Sequence, residues 1–155
     1  MENKFDIIEC NKLKEIYSRI YNDEELQERY REVEKYEEKN GGWAYHNFEH
    51  VKNVIAIVEN ILLGLNYSES IIYKAKIACL LHDAGATKGK ENHAYKSYEF
   101  AKRYMSKNDI KFKDIDLVLE AIKIHSDGFE TNNIIALSLI LADKLDIKKT
   151  RISKE

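Results

Sequence analysis

Proline is absent from this chain of 155 residues, so no position forbids a long helix on backbone grounds. Glycine is nearly as scarce, at 6 residues, and its positions mark the ends of apolar periodic segments. Cysteine occurs only as Cys10 and Cys79. Two isolated thiols exclude a disulfide framework and a sulfur-based metal site, and they read as a reduced, cytoplasmic chain. Long hydrophobic runs are also missing: the longest, Ile134 to Ala142 with Ser138 inside it, is far short of the roughly 20 residues a membrane span needs. Glu2, Lys4, Asp6 and Glu9 are unlike the start of a signal peptide. Nor does one sign of charge dominate. Lys plus Arg is 25 against 27 Asp plus Glu, a net charge of −2, which gives no global attraction to nucleic acid or to an anionic membrane.

Hydrophobic residues make up 44% of the sequence, enough for one domain over 1–155 with a real core. Their spacing of three and four is helical throughout. Leu13, Ile16, Tyr17 and Ile20 share a face of a segment running from Cys10 to Tyr21. After a cap at Asn22-Asp23-Glu24-Glu25, Leu26, Tyr30, Val33 and Tyr36 draw an outer helix that packs over the core. These two segments, within 1–40, are expected to pack over a core formed by the helices that follow. Asn47 caps a helix with His50 aligned on Val54, Ile57 and Ile61. From Ser70, the stripe of Ile71, Ile72, Ala75, Ala78 and Cys79 reaches His82, followed by Asp83 and a Gly85 stop. Asn92 and Asp114 are expected to cap the next two helices, whose inner faces carry His93 with Ser97, and His125 with Val118 and Ile122. Asn133 opens the last, where Ala136, Leu139, Ile140, Asp143 and Ile147 share a face.

Charge is uneven along the chain. Residues 1–40 hold 12 acids and 8 bases, whereas residues 86–113 hold 8 bases and only Glu91, Glu99 and Asp109 as acids. The loop Gly85-Ala86-Thr87-Lys88-Gly89-Lys90 lacks the spacing of a nucleotide-binding P-loop, but Thr87, Lys88 and Lys90 suit phosphate oxygens, and Arg103 is a weaker candidate. The aromatic residues interleaved with these bases, Tyr95, Tyr98, Phe100 and Tyr104, are mostly required for packing by the periodicity, so no specific nucleic-acid binding is expected. Ten tyrosines leave room for a homodimer interface.

Four of the five histidines, His50, His82, His93 and His125, lie with Asp83 and Asp143 at or beside the inward faces of different helices. Each one alone is compatible with a satisfied core residue. Together they are harder to accommodate, because buried ionisable groups need partners, and imidazole with carboxylate suits one or two divalent ions of Mn, Fe, Co, Ni, Zn or Mg. His46 and His50 have the spacing of a zinc-protease helix, but Glu49 stands in the wrong place for that chemistry.

The order of His50, then His82-Asp83, then Asp143 within Leu141-Ala142-Asp143-Lys144-Leu145-Asp146 resembles the HD superfamily of metal-dependent phosphohydrolases. The resemblance runs from about Tyr45 to Arg151, while the first forty residues contribute little to it. It implies an all-α, compact helical bundle with a metal site between core helices, and a ligand set of His50, His82, Asp83 and Asp143. In two-metal branches, His93 and His125 would add a second site with Asp83 bridging. The run His125-Ser126-Asp127-Gly128 is most similar to the bacterial diadenosine tetraphosphate hydrolase branch. Tyr45-His46-Asn47 resembles the start of the cyclic nucleotide phosphodiesterase signature, which implies His46 as general acid. The lysine that often follows the His-Asp doublet is absent, which leaves phosphate gripping to Lys88 and Lys90. The implied activity is hydrolysis of a phosphoester or phosphoanhydride of a small, nucleotide-like substrate through metal-activated water, with His46 and Asp83 as catalytic residues. The alternative is a regulatory module that binds metal and nucleotide without turnover.

Overall fold

The computed structural model of the chain describes residues 4–41 and 47–154. Among them it contains seven α-helices and no strand, and the all-α expectation holds. In order they are α1 (Lys4–Tyr21), α2 (Glu24–Lys39), α3 (Phe48–Gly64), α4 (Glu69–Leu81), α5 (His93–Lys107), α6 (Ile115–Ile124) and α7 (Ile134–Lys154), with a 3₁₀ turn at Ala86–Lys88 between α4 and α5.

Helix α4 is the axis of the bundle. It packs against α1, α3, α6 and α7, and from Lys74 to Leu81 every residue is buried. The sequence stripe is therefore too narrow a description: α4 is enclosed on all sides, so Ile77, Leu80 and Leu81 are as inaccessible as Ala78. Truncating such a side chain to alanine costs about 2–5 kcal/mol. Enclosure also buries the charge of Lys74, which is met by Glu9 of α1 at 3.0 Å and Asp114 at 3.2 Å.

Caps set the register of several helices. Asp23 accepts from Glu25 N at the start of α2, Asn47 from His50 N at the start of α3, and Ser68 from Ile71 N at the start of α4. Asn133 Oδ1 accepts from Ile135 N and Ala136 N. Asn92 and Asp114 depart from expectation. Both take left-handed backbone angles, φ 58° and 66°, and neither makes a side-chain cap bond. The Asp114 carboxylate is drawn instead to Lys74. Helix α1 starts six residues earlier than expected because Phe5, Ile7 and Ile8 face solvent and leave no buried stripe to read. On α3 the inner face is His50, Val51, Val54, Ile55, Val58 and Leu62, while Ile57 and Ile61 lie on its half-buried flank. The side chain of Ile147 lies outside the described residues.

Candidate metal centre

His82 and His125 occupy the same local structure. Each follows the last residue of a helix, α4 and α6, and each ring turns back so that Nδ1 sits 2.7 Å from the carbonyl three residues earlier, Cys79 O and Ile122 O. His93 does the same at the start of α5, with Nδ1 2.8 Å from Lys90 O. A carbonyl only accepts, so Nδ1 carries the proton in all three rings and Nε2 is turned towards the centre. His50 reaches the same orientation through a carboxylate: its Nδ1 lies 2.6 Å from Asp146 Oδ2.

Four Nε2 atoms converge on two aspartates. His50 Nε2 is 2.8 Å from Asp143 Oδ1 and 3.3 Å from Asp83 Oδ2, and His82 Nε2 is 3.4 Å and 3.1 Å from the same atoms. The other oxygen of Asp83 faces the opposite way, with Oδ1 3.5 Å from His93 Nε2 and 3.4 Å from His125 Nε2. Asp83 thus divides the cluster into two sets, His50, His82, Asp83 and Asp143 on one side and Asp83, His93 and His125 on the other, with ligand atoms in each set within 4.8 Å of one another. Donors about 2.1 Å from a common cation stand roughly 3–4 Å apart, so both sets have the spacing a divalent ion requires.

The contacts also show why a cation fits. His93 Nε2 and His125 Nε2 face each other at 3.2 Å. With both protons on Nδ1, these are two lone pairs in contact, which a shared positive charge relieves. His82 Nε2 is fully buried and makes no hydrogen bond among the described residues. With protons as the only positive charge, the first set behaves as expected of paired carboxylates and imidazoles. Burial opposes a charged His50, yet hydrogen bonds to Asp143, Asp146 and Asp83 outweigh it and push the pKa up to about 12. In His82, burial is overcome by the negative charge of Asp83 first and of Asp143 beside it, and the pKa rises to about 10. Burial works against ionised Asp143 as well, but His50 and His82 hold its carboxyl well below the usual range. The negative field that draws protons to these two imidazoles is one that a metal ion would neutralise.

Helix α2 fixes the turn that carries the doublet. Arg29 donates to Ala84 O from Nε at 3.1 Å and Nη2 at 2.8 Å, with its guanidinium 4.4 Å from the centre of the Phe100 ring. Tyr30 OH donates to Leu80 O at 2.7 Å and accepts from Asp83 N at 3.4 Å. Gly85 has φ −89°, so it is not a left-handed helix stop. Its role is proximity: a Cβ there would stand 2.2 Å from Ser97 N of α5, and Gly85 N donates to Ser97 Oγ at 2.9 Å. Arg29, Tyr30 and Asp146 were not singled out by the sequence. The stripe through Leu26, Tyr30 and Val33 signals that α2 packs inward, and Asp146 lies one turn from Asp143, but their partners are 50 or more residues away.

Asp83, His82 and His125 are inaccessible. The sides of the cluster that reach solvent are His93 and Asp143, with side chains 13% and 12% exposed. Lys88 and Lys90 are exposed beside them in sequence, Thr87 is half-buried, and the carbonyl of Lys90 holds His93. His46 lies outside the described residues. Arg103 is on the outer face of α5, away from the doublet turn in sequence.

A family model described as HD domain matches residues 47–148. This chain belongs to the HD domain family. The match is to the domain as a whole and does not single out the diadenosine tetraphosphate hydrolase branch. No curated protein and no solved structure matches the chain. HD domains bind divalent metals and belong to a superfamily of metal-dependent phosphohydrolases, and the donor set described above is of that chemistry. Among the described residues, no helix is long and apolar enough to cross a membrane.

Proposed function

We propose that this HD domain hydrolyses a phosphoester or phosphoanhydride of a small, nucleotide-like substrate. The observation that carries the reading is the division of Asp83, whose two oxygens face two different sets of histidines. His50, His82, Asp83 and Asp143 would hold one divalent cation, and Asp83, His93 and His125 a second. Bound there, such ions supply Lewis acidity, lowering the pKa of an attacking water and taking up charge on the phosphoryl oxygens.

The remaining tasks fall to the chain. Backbone carbonyls and Asp146 lock the rings so that their Nε2 atoms point inward before any ligand arrives, which keeps the reorganisation cost low. Complete burial of His82 and Asp83 keeps bulk water from the interior side, while His93 and Asp143 form the edge that substrate approaches. His46, in the segment leading to α3, is the candidate donor of a proton to the leaving oxygen. Lys88 and Lys90 are the candidates for binding substrate phosphates.

The test is turnover of a phosphate panel after separate loading with Mn, Fe, Co, Ni, Zn and Mg. The panel holds an activated diester, nucleoside monophosphates, dinucleoside polyphosphates and cyclic nucleotides. Metal-dependent product formation, abolished in Asp83→Asn, is expected. His46→Ala should slow substrates with poor leaving groups more than the activated diester. Metal that raises the melting temperature with no turnover of any substrate would establish the regulatory alternative.

A further inference from the structure

The outer face of α5 carries a second feature, whose lining shares no residue with the metal centre. Helix α5 buries Ala94, Ser97, Ala101, Tyr104 and Met105, and its opposite face, with Lys123 of α6, lines a groove of about 680 Å³. This is the range of small-ligand sites, roughly 300–1,000 Å³. Its charged lining is Lys102, Arg103, Lys107 and Lys123 against the single acid Glu99.

Most of that charge is uncommitted. Lys107 is held by Glu25 at 2.9 Å, but Lys102, Arg103 and Lys123 make no ion pair among the described residues. Part of the aromatic lining is also open. Of the four aromatic residues interleaved with these bases, Tyr95 is the one that does not serve the core: it is 45% exposed. Tyr98 packs against the core and stands 5.2 Å, at its ring centre, from the Lys123 ammonium. Their ring centres are 5.9 Å apart with planes 36° from parallel. The groove therefore presents an open aromatic face at one end and cations along the rest, a combination that serves a flat base and its phosphates.

The surroundings favour a short ligand over a polymer. Across α6, a cavity of about 470 Å³ is lined by Glu120, Asp127 and Glu130, and at the far end of α5 Lys107 is already tied to Glu25. A long polyanion leaving the groove on either of these sides meets acidic residues, whereas a nucleotide remains within the basic patch.

We propose that this groove is a nucleotide-binding site separate from the metal centre, with the phosphates on Lys102, Arg103 and Lys123 and the base on Tyr95. The probes are ATP, inorganic tripolyphosphate and a single-stranded oligonucleotide, titrated calorimetrically against the full chain. The expected result is ATP binding that survives Asp143→Asn and weakens at least tenfold in Lys102→Ala/Arg103→Ala, a surface variant whose fold is checked by circular dichroism. Tyr95→Ala should weaken ATP several-fold and leave tripolyphosphate unchanged. Absence of such binding up to millimolar ATP, or binding indifferent to the double variant, would overturn the site. Tripolyphosphate as tight as ATP with no effect of Tyr95→Ala would reduce it to a general anion patch. An oligonucleotide binding a hundredfold tighter than ATP would replace the nucleotide with a nucleic acid.

Discussion

The two halves of the centre use the same kinds of residue in different settings. The His50 half offers four buried ligands, with one histidine backed by the Asp146 carboxylate and another by a backbone carbonyl. The His93 half offers three, both its histidines are backed by carbonyls, and one of them reaches solvent. A carboxylate partner strengthens metal binding, so under the proposed reading the first half would hold its ion the more tightly. The second, with fewer ligands and one of them reaching solvent, would exchange its ion the more readily and leave positions open. Asp83 is the one ligand common to both.

Removing that shared ligand gives the largest effect. Asp83→Ala should abolish binding of both ions and cut phosphohydrolase activity by about a thousandfold or more, as read by metal analysis and product formation. The halves then separate by substitution. His93→Ala should remove the second ion and leave the first, while Asp143→Asn should weaken the first more than the second. A smaller change tests the partner rather than the ligand: Asp146→Asn keeps the shape but weakens the hold on His50. It should lower affinity in the first half by about 10–100-fold, measured by competition with a chelating indicator.

Proton linkage sharpens the comparison further. Folding raises the pKa of His82 to about 10 and of His50 to about 12, above the ordinary 6.5. Their contribution to stability without metal is fully present below about 6.5 and is lost as pH rises through 10 and 12. Melting temperature in chelator should therefore fall from neutral towards alkaline pH. Loading the first half with Mn at neutral pH should release protons, measurable as a buffer-dependent enthalpy. The smallest effect belongs to the clamp outside both halves. Arg29→Ala should cost about 1–3 kcal/mol of stability by leaving Ala84 O without its donors, with metal stoichiometry unchanged in denaturation and metal assays.

How much of this was legible follows from what burial demands. An ionisable residue on an apolar stripe needs a partner, so His50, His93, His125 and Asp143 stand out without coordinates, and the doublet at the end of α4 joins them. The structure brings all six candidate ligands into one cluster. Illegible were groups whose partners lie far away in sequence. Tyr30 reads as one more packed aromatic until its hydroxyl meets Leu80 O, 50 residues on. Gly85 reads as a helix stop until α5 is seen against it. Asn92 and Asp114 have the composition of caps but take left-handed backbone, and the Asp114 carboxylate meets Lys74.

Metal content is the most direct test of the divided centre. Chain purified without chelator, together with His93→Ala and Asp143→Asn, should be compared by elemental mass spectrometry after loading and gel filtration. The account predicts close to two ions per native chain, one in His93→Ala, and preferential loss of the tightly held ion in Asp143→Asn. No metal in the native chain after loading, or one ion unaffected by His93→Ala, would contradict it.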